Sequence, residues 1–191
     1  MNTFILITGV LLGLFSSKVD CKIDKYMLAL EFIKNDSTVN PFFDSNIPLR
    51  NSFRVSDKVI PFNIITVSEE IIRKNYLDDY SAFKDLTNAE RLVVRHVSDS
   101  IYNIESLLNE KIEGEKSDIP KKLVRKNKGT PIYILFFSQL VNNKLYVEVM
   151  MHEGTYIKEN TVYGSAKTYY FTFDQKDIRI ANVYKGNVHH N

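Results

Sequence analysis

Between Thr87 and Ile112 apolar residues return every three or four positions, at Val93, Val97, Ile101, Ile104, Leu108 and Ile112, while Arg91, Arg95, Asp99 and Asn103 occupy another side. In front of this run stands Thr87-Asn88-Ala89-Glu90, a capping box in which hydroxyl and carboxylate satisfy each other's neighbouring amides. The spacing predicts one helix over 88–112, ~37 Å long at 1.5 Å per residue. A rod of that length with a single apolar stripe needs a broad surface to lie on. The expectation is that it packs across a sheet.

That sheet is predicted from the last third of the chain. Ile132 to Val141 and Lys144 to His152 flank Asn142-Asn143, and asparagine tolerates the positive φ of a two-residue hairpin turn. If Val141 faces Lys144, then Leu140 pairs with Leu145, Ser138 with Val147, Phe136 with Val149 and Ile134 with Met151, which makes one apolar face. Tyr169 to Phe173 and Ile178 to Tyr184 form a second hairpin, with Phe173 opposite Ile178 and Phe171 opposite Ile180. The result is a four-stranded antiparallel meander. Helices first and strands last is the pattern of an α+β fold, in which N-terminal helices pack on the meander.

The earlier segments are shorter. A helix is expected over 24–34, with Asp24 capping it and Ile23 stapled to Leu28. Extended pieces are expected at Leu49 to Val55 and Ile60 to Val67, the second confined to a sheet edge by Pro61. Ser68 opens another helix, with Glu69 and Glu70 in its first turn and Ile72, Tyr76, Tyr80 and Phe83 along one face. Asp78-Asp79 marks a break in it, and residues 115–130 read as a charged connector.

Thr3 to Phe15 is thirteen residues without a charge, followed by Ser16 and Ser17. This is the length of a signal peptide rather than of a membrane span, which takes roughly 20 apolar residues. The division is therefore a signal peptide over 1–17 and a single α+β domain over 22–191, periplasmic or secreted. Cys21 is the only cysteine, so no internal disulfide can form. Its place just after the apolar run also raises lipidation, against which stand Lys18, Val19 and Asp20 where a small residue is expected. A membrane partner is expected only if Cys21 is lipidated. The 25 basic and 23 acidic residues leave a formal charge of +2, which provides no field to draw nucleic acid.

Recognisable catalytic patterns are missing from the sequence. His152-Glu153 lacks the second histidine that a zinc helix needs four residues on, where Tyr156 stands. His96 borders the long helix's apolar stripe, and His189 and His190 lie near the C-terminus, where fraying is expected. No serine elbow and no glycine-rich phosphate loop occurs, and neither cofactor nor metal is predicted. Paired carboxylates remain open as chemistry, since space rather than spacing assembles them. The stretch Glu153 to Ser165 is long for a hairpin loop and carries Tyr156, Lys158 and Tyr163 beside His152. Tyrosine offers a rigid ring with a polar tip, so these four residues are the candidate ligand contacts.

The segments FFSQL, LYVEVMMHEG and YYFTFDQKDIRIANVYKG resemble the C-terminal meander of short uncharacterised exported bacterial proteins and, more distantly, the nuclear transport factor 2-like fold. The resemblance implies helices laid on a curved sheet and carries over no functional residue. The leading expectation is a non-catalytic binding or interaction domain for an envelope protein, small molecule or glycan. The alternatives are an envelope hydrolase using carboxylates and His152, and a structural lipoprotein anchored through Cys21.

Overall fold

The computed structural model describes residues 21–49, 52–77, 86–112, 117–124, 132–152, 156–158, 161–175 and 178–190; of Cys21, 156–158 and 161–163 it describes the backbone alone. The expected leader, the Asp78-Asp79 break with Tyr80 and Phe83, residues 115–116 and 125–130 of the connector and Glu153 lie outside these residues. Among the described residues no helix is long and apolar enough to cross a membrane.

The elements run α1 (Cys21–Lys34), α2 (Val39–Phe42), β1 (Phe53–Val59), a 3-10 turn (Ile64–Val67), α3 (Ser68–Tyr76), α4 (Asn88–Asn109), β2 (Tyr133–Phe137), β3 (Lys144–Met151), β4 (Tyr156–Lys158), β5 (Thr161–Phe173) and β6 (Ile180–His190). The fold is α+β, as expected, but the sheet is larger than a four-stranded meander. Five strands lie in the order β1-β2-β3-β5-β6, and β4 joins the leading end of β5. Strand β1 pairs with β2 in parallel, Phe53 opposite Tyr133 and Val55 opposite Leu135. A parallel neighbour requires a long crossover, here the path through α3 and α4. Adjacency in sequence therefore gave no hint of it.

Asn142 and Asn143 have φ of 50° and 60° and make the expected hairpin turn, with Val141 bridged to Lys144. The register beyond the turn differs by one residue. Leu135 rather than Phe136 stands opposite Val149, and Phe137 opposite Val147. The cause is a bulge, because Ser138 to Leu140 face only Leu145 and Tyr146 across the ladder. Ser138 closes it by giving its amide to Tyr146 O (2.8 Å) and accepting the Tyr146 amide on its hydroxyl (2.9 Å). Since side chains alternate, the slip turns Tyr133, Leu135 and Phe137 toward the face expected to hold Ile134 and Phe136. In the second hairpin Phe173 meets Ile180, and Phe171 meets Val183.

The two sheet faces have different covers. On one, Val55, Leu135, Phe137, Leu145, Val147, Val149, Tyr169 and Phe171 pack under α1, whose Tyr26, Ala29, Leu30 and Ile33 form an i, i+3, i+4, i+7 stripe. Each such side chain stabilises by roughly 1.5–3 kcal/mol on burial. Leu140 packs on this face too, on the same side as Leu145. Asp24 lies within α1 rather than at its cap, and Ile23 and Leu28 are both inside the helix.

On the opposite face Tyr146, Tyr170 and Tyr184 meet Phe62, Ile64 and Val67, with α4 outside them. The capping box at Thr87 and Glu90 forms, and the helix runs to Asn109. Its role as the main cover does not hold. Only Ile101 and Leu108 of α4 are buried, whereas Leu92 (59% exposed), Tyr102 (68%) and Leu107 (55%) face solvent. The 3-10 turn intervenes, where a strand over Ile60 to Val67 was expected, and α4 is fastened to it. Asn109 Oδ1 accepts the Phe62 amide (2.7 Å), and Glu105 Oε2 accepts the Ile65 amide (3.0 Å). Ser68 consequently follows a turn rather than capping α3, and its hydroxyl donates to Ile65 O (2.7 Å).

The turn also comes so close to β6 that a Cβ at Gly186 would collide with the Thr66 carbonyl. Replacing Ile33 or Ile101 by alanine should cost about 2–5 kcal/mol in urea unfolding, and Leu92→Ala no more than about 0.5 kcal/mol. A large loss at Leu92 would mean that α4 seats deeper than described.

Candidate functional site

The four candidate contacts lie at the end of β3 and in the β4–β5 ribbon. His152 follows β3, half-exposed, with its amide donating to Ile132 O (2.6 Å). The stretch Glu153 to Ser165 is not a single free loop: its residues 156–158 and 161–165 are strand. Tyr156 is the cross-strand partner of Tyr163, and Lys158 of Thr161. The structure thus brings the two tyrosines to one register of a short ribbon that extends β5 past its last pair with β3, Met150 opposite Ala166. Gly164, with φ of 117°, takes a conformation that L-residues rarely adopt and sits where the ribbon leaves the sheet. Cys21 lies in α1.

Next to the ribbon the β5–β6 ladder carries a polar file on the α1 face: Ser165 opposite His189, Lys167 opposite Asn187, and Tyr169 opposite Lys185. Ser165 Oγ lies 2.9 Å from His189 Nδ1, and both residues are exposed. The file begins where α1 ends at Lys34, so the chain after the helix supplies its remaining cover.

Asp36 is the anchor of that cover. Its side chain is 3% exposed and accepts the Thr38 amide (2.9 Å), the Thr38 hydroxyl (2.8 Å), the Tyr169 hydroxyl (2.7 Å) and Lys185 Nζ (3.1 Å). Burial pushes the carboxyl up, yet the hydrogen bonds from Thr38, Tyr169 and Lys185 outweigh it and hold the group at about 2. The Tyr169 hydroxyl is raised in turn, by burial first and by Asp36 second. A hollow of about 290 Å³ lies over this anchor, lined by Lys34, Asn35, Asp36, Ser37, Asn40, Pro48 and Leu49.

A second polar cluster lies on the other face. Glu148, 4% exposed, accepts the Tyr146 hydroxyl (2.9 Å) and lies 2.9 Å from His190 Nε2. Thr66 Oγ1, which donates to Asn63 O (2.7 Å), is 3.2 Å from the Tyr146 hydroxyl and 3.1 Å from Thr168 Oγ1. His190 is raised by its hydrogen bond to Glu148, with burial opposing.

The expectation of a frayed C-terminus fails here, because β6 runs to His190 and the carboxylate holds its end. The histidine set against a buried acid is therefore His190 and not His152. The serine–histidine and histidine–carboxylate contacts also belong to neighbouring residues, and neighbours in a strand point to opposite faces. Ser165, His189 and Glu148 consequently do not line up as a relay. Among the described residues no group of three or more His, Cys, Asp or Glu side chains gathers at metal-binding range.

Lys167, Asp36 and Glu148 escaped the sequence reading, although a signal existed for two of them. Glu148 and Lys167 each interrupt a strand of apolar residues, and a charge buried there needs a partner. Asp36 carried no such mark in a turn-forming stretch.

No protein-family model, curated protein or solved structure matches this chain.

The two carboxylate clusters make opposite contributions to pH dependence. Asp36 lies below its ordinary 3.8, so its contribution is present above that value and fades as the pH falls toward about 2. His190 lies above its ordinary 6.5, so its contribution is whole below that value and fades as the pH rises through the folded one. Urea titrations should show Asp36→Asn destabilising at neutral pH, with the difference closing in acid. For His190→Gln the difference should be larger at about pH 6 than at about pH 9. A pH-independent loss in either variant would contradict the assigned charge states.

Proposed function

We propose that this chain is an exported, non-catalytic binding domain that presents the β4–β5 ribbon and the polar file beside it to an envelope protein, small molecule or glycan. The observation that carries the reading is the ribbon's register, with Tyr156 opposite Tyr163 beyond the last β3–β5 pair. Two tyrosines at one level of a ribbon bring a large contact area at low conformational cost. The support beneath them is rigid, since β5 continues into the core through Tyr169 and Phe171. Export rests on the uncharged run Thr3 to Phe15. A relation to the nuclear transport factor 2-like fold is likewise proposed, on helices laid over a largely antiparallel sheet, from which the parallel β1–β2 step departs.

The hydrolase reading has no comparable support. It assigned the chemistry to His152, whose ring has no carboxylate beside it among the described residues, while the buried acid Glu148 is engaged by Tyr146 and His190. The lipoprotein reading turns on Cys21, and an unmodified thiol in mass spectrometry of the native N-terminus would remove it.

Immobilised full chain, exposed to envelope extract from its own cells, should retain a specific component, and the Tyr156→Ala/Tyr163→Ala variant should retain at least about tenfold less. Equal retention by both would reject the ribbon as the contact surface.

A further inference from the structure

On the β5–β6 file one charge makes no direct ion pair among the described residues. Lys167 is 8% exposed, yet among the described residues no ion pair or hydrogen bond reaches its ammonium; the group stands over the Phe42 ring, 5.5 Å from the centroid. The nearby carboxylates are already engaged. Asp36 takes four donors, including Lys185 Nζ, and Glu70 takes Lys74 Nζ (2.8 Å) and the Lys185 backbone amide. Set against each other, Lys74 answers Glu70 and Lys185 answers Asp36, which leaves Lys167 positive and unmatched.

A lysine this far removed from water keeps its charge only at a cost, and burial does lower its proton affinity, with Lys185 adding to the effect and Asp36 and Glu70 opposing. Its surroundings suit an incoming acceptor. Asn187 is its exposed cross-strand neighbour, and Ser165 with His189 occupies the next register toward the Tyr156–Tyr163 ribbon. All of these side chains can donate a hydrogen bond.

We propose that this end of the α1 face binds the oxyanion of a ligand, a carboxylate or a phosphate, with the Lys167 ammonium as its counter-charge and Asn187 and Ser165 as flanking donors. The proposal rests on the binding reading above and narrows it to ligands that carry such a group. An anion placed here replaces the missing partner of a desolvated cation, so its hydrogen bond is charge-assisted and stronger than one made at the open surface. Phe42 lies beside the ammonium and the backbone of the β4–β5 ribbon continues β5 beyond it, so the oxyanion is held at one end while the rest of the ligand extends toward the ribbon.

The test is amide NMR of the full chain titrated with sodium phosphate, sodium acetate and sodium chloride at equal ionic strength. Phosphate or acetate should produce saturable shifts at Lys167, Asn187 and Ser165 beyond those of chloride, and the ion that saturates identifies the group. Lys167→Met should weaken that binding at least roughly tenfold, the loss of one charged hydrogen bond. If that variant does not fold, the wild-type Lys167 Cε resonance decides, since a bound oxyanion must move its titration to higher pH. Shifts that follow chloride, or a Lys167 titration unmoved by either ion, overturn the proposal. Retention of an envelope component that depends on Tyr156 and Tyr163 but survives Lys167→Met would remove the oxyanion while leaving the binding reading in place.

Discussion

The bulge at Ser138 to Leu140 decides which half of β2 meets α1, and the rest of the molecule follows from it. Tyr26 enters from α1 at this point, its hydroxyl facing Asp118 Oδ1 at 2.6 Å and the Ser138 carbonyl at 3.1 Å while accepting the Leu140 amide at 3.0 Å. One buried phenol therefore satisfies backbone groups that the irregular ladder would leave orphaned, and burial beside Asp118 raises its proton affinity far above the ordinary phenol range. Lys25, next in the helix, donates to Asn143 Oδ1 in the turn (2.6 Å). Helix and hairpin are thus joined at two adjacent residues, and the apolar stripe from Tyr26 to Ile33 has only one place to lie.

With α1 on that face, the division of polar residues becomes intelligible. The helix ends at Lys34, short of the leading end of β5 and the trailing end of β6, and the sheet beyond it cannot be closed by apolar packing alone. Asp36 closes part of it through Tyr169 and Lys185. On the other face Glu148 does the same through Tyr146 and His190. Each cluster binds the last strands to an element far away in sequence, and α3 protects the outer edge of β6 by giving Lys74 Nζ to Val183 O (3.1 Å) and taking the Lys185 amide on Glu70. What these contacts leave over is Lys167 and the β4–β5 ribbon.

Local signals were legible to the extent that they were local. The capping box at Thr87 and the Asn142-Asn143 turn depend on neighbours within a few residues, and they form as read. The register of β2 was not legible, because Tyr133 to Phe137 are all apolar and either alternation satisfies a hydrophobic face. The extent of β5 was hidden as well: Thr161 to Ser165 contains glycine and polar residues, and only pairing with β4 and β6 makes it strand. Of the candidate site, the tyrosines and Lys158 were visible as residue types in a suspicious stretch, whereas their opposition across a ribbon was not.

Taken by itself, the sequence determined the helices at Ser68 and Thr87, the hairpin turn, the apolar character of the last strands and the absence of an internal disulfide. Tertiary structure alone decided that α1 rather than α4 covers the larger core, that β1 joins in parallel, and that Lys167 makes no direct ion pair among the described residues. The reason is physical. Helix caps and turns are settled by hydrogen bonds a few residues apart, while the choice of face, partner strand and ion pair depends on which distant groups arrive first-hand at the same buried space.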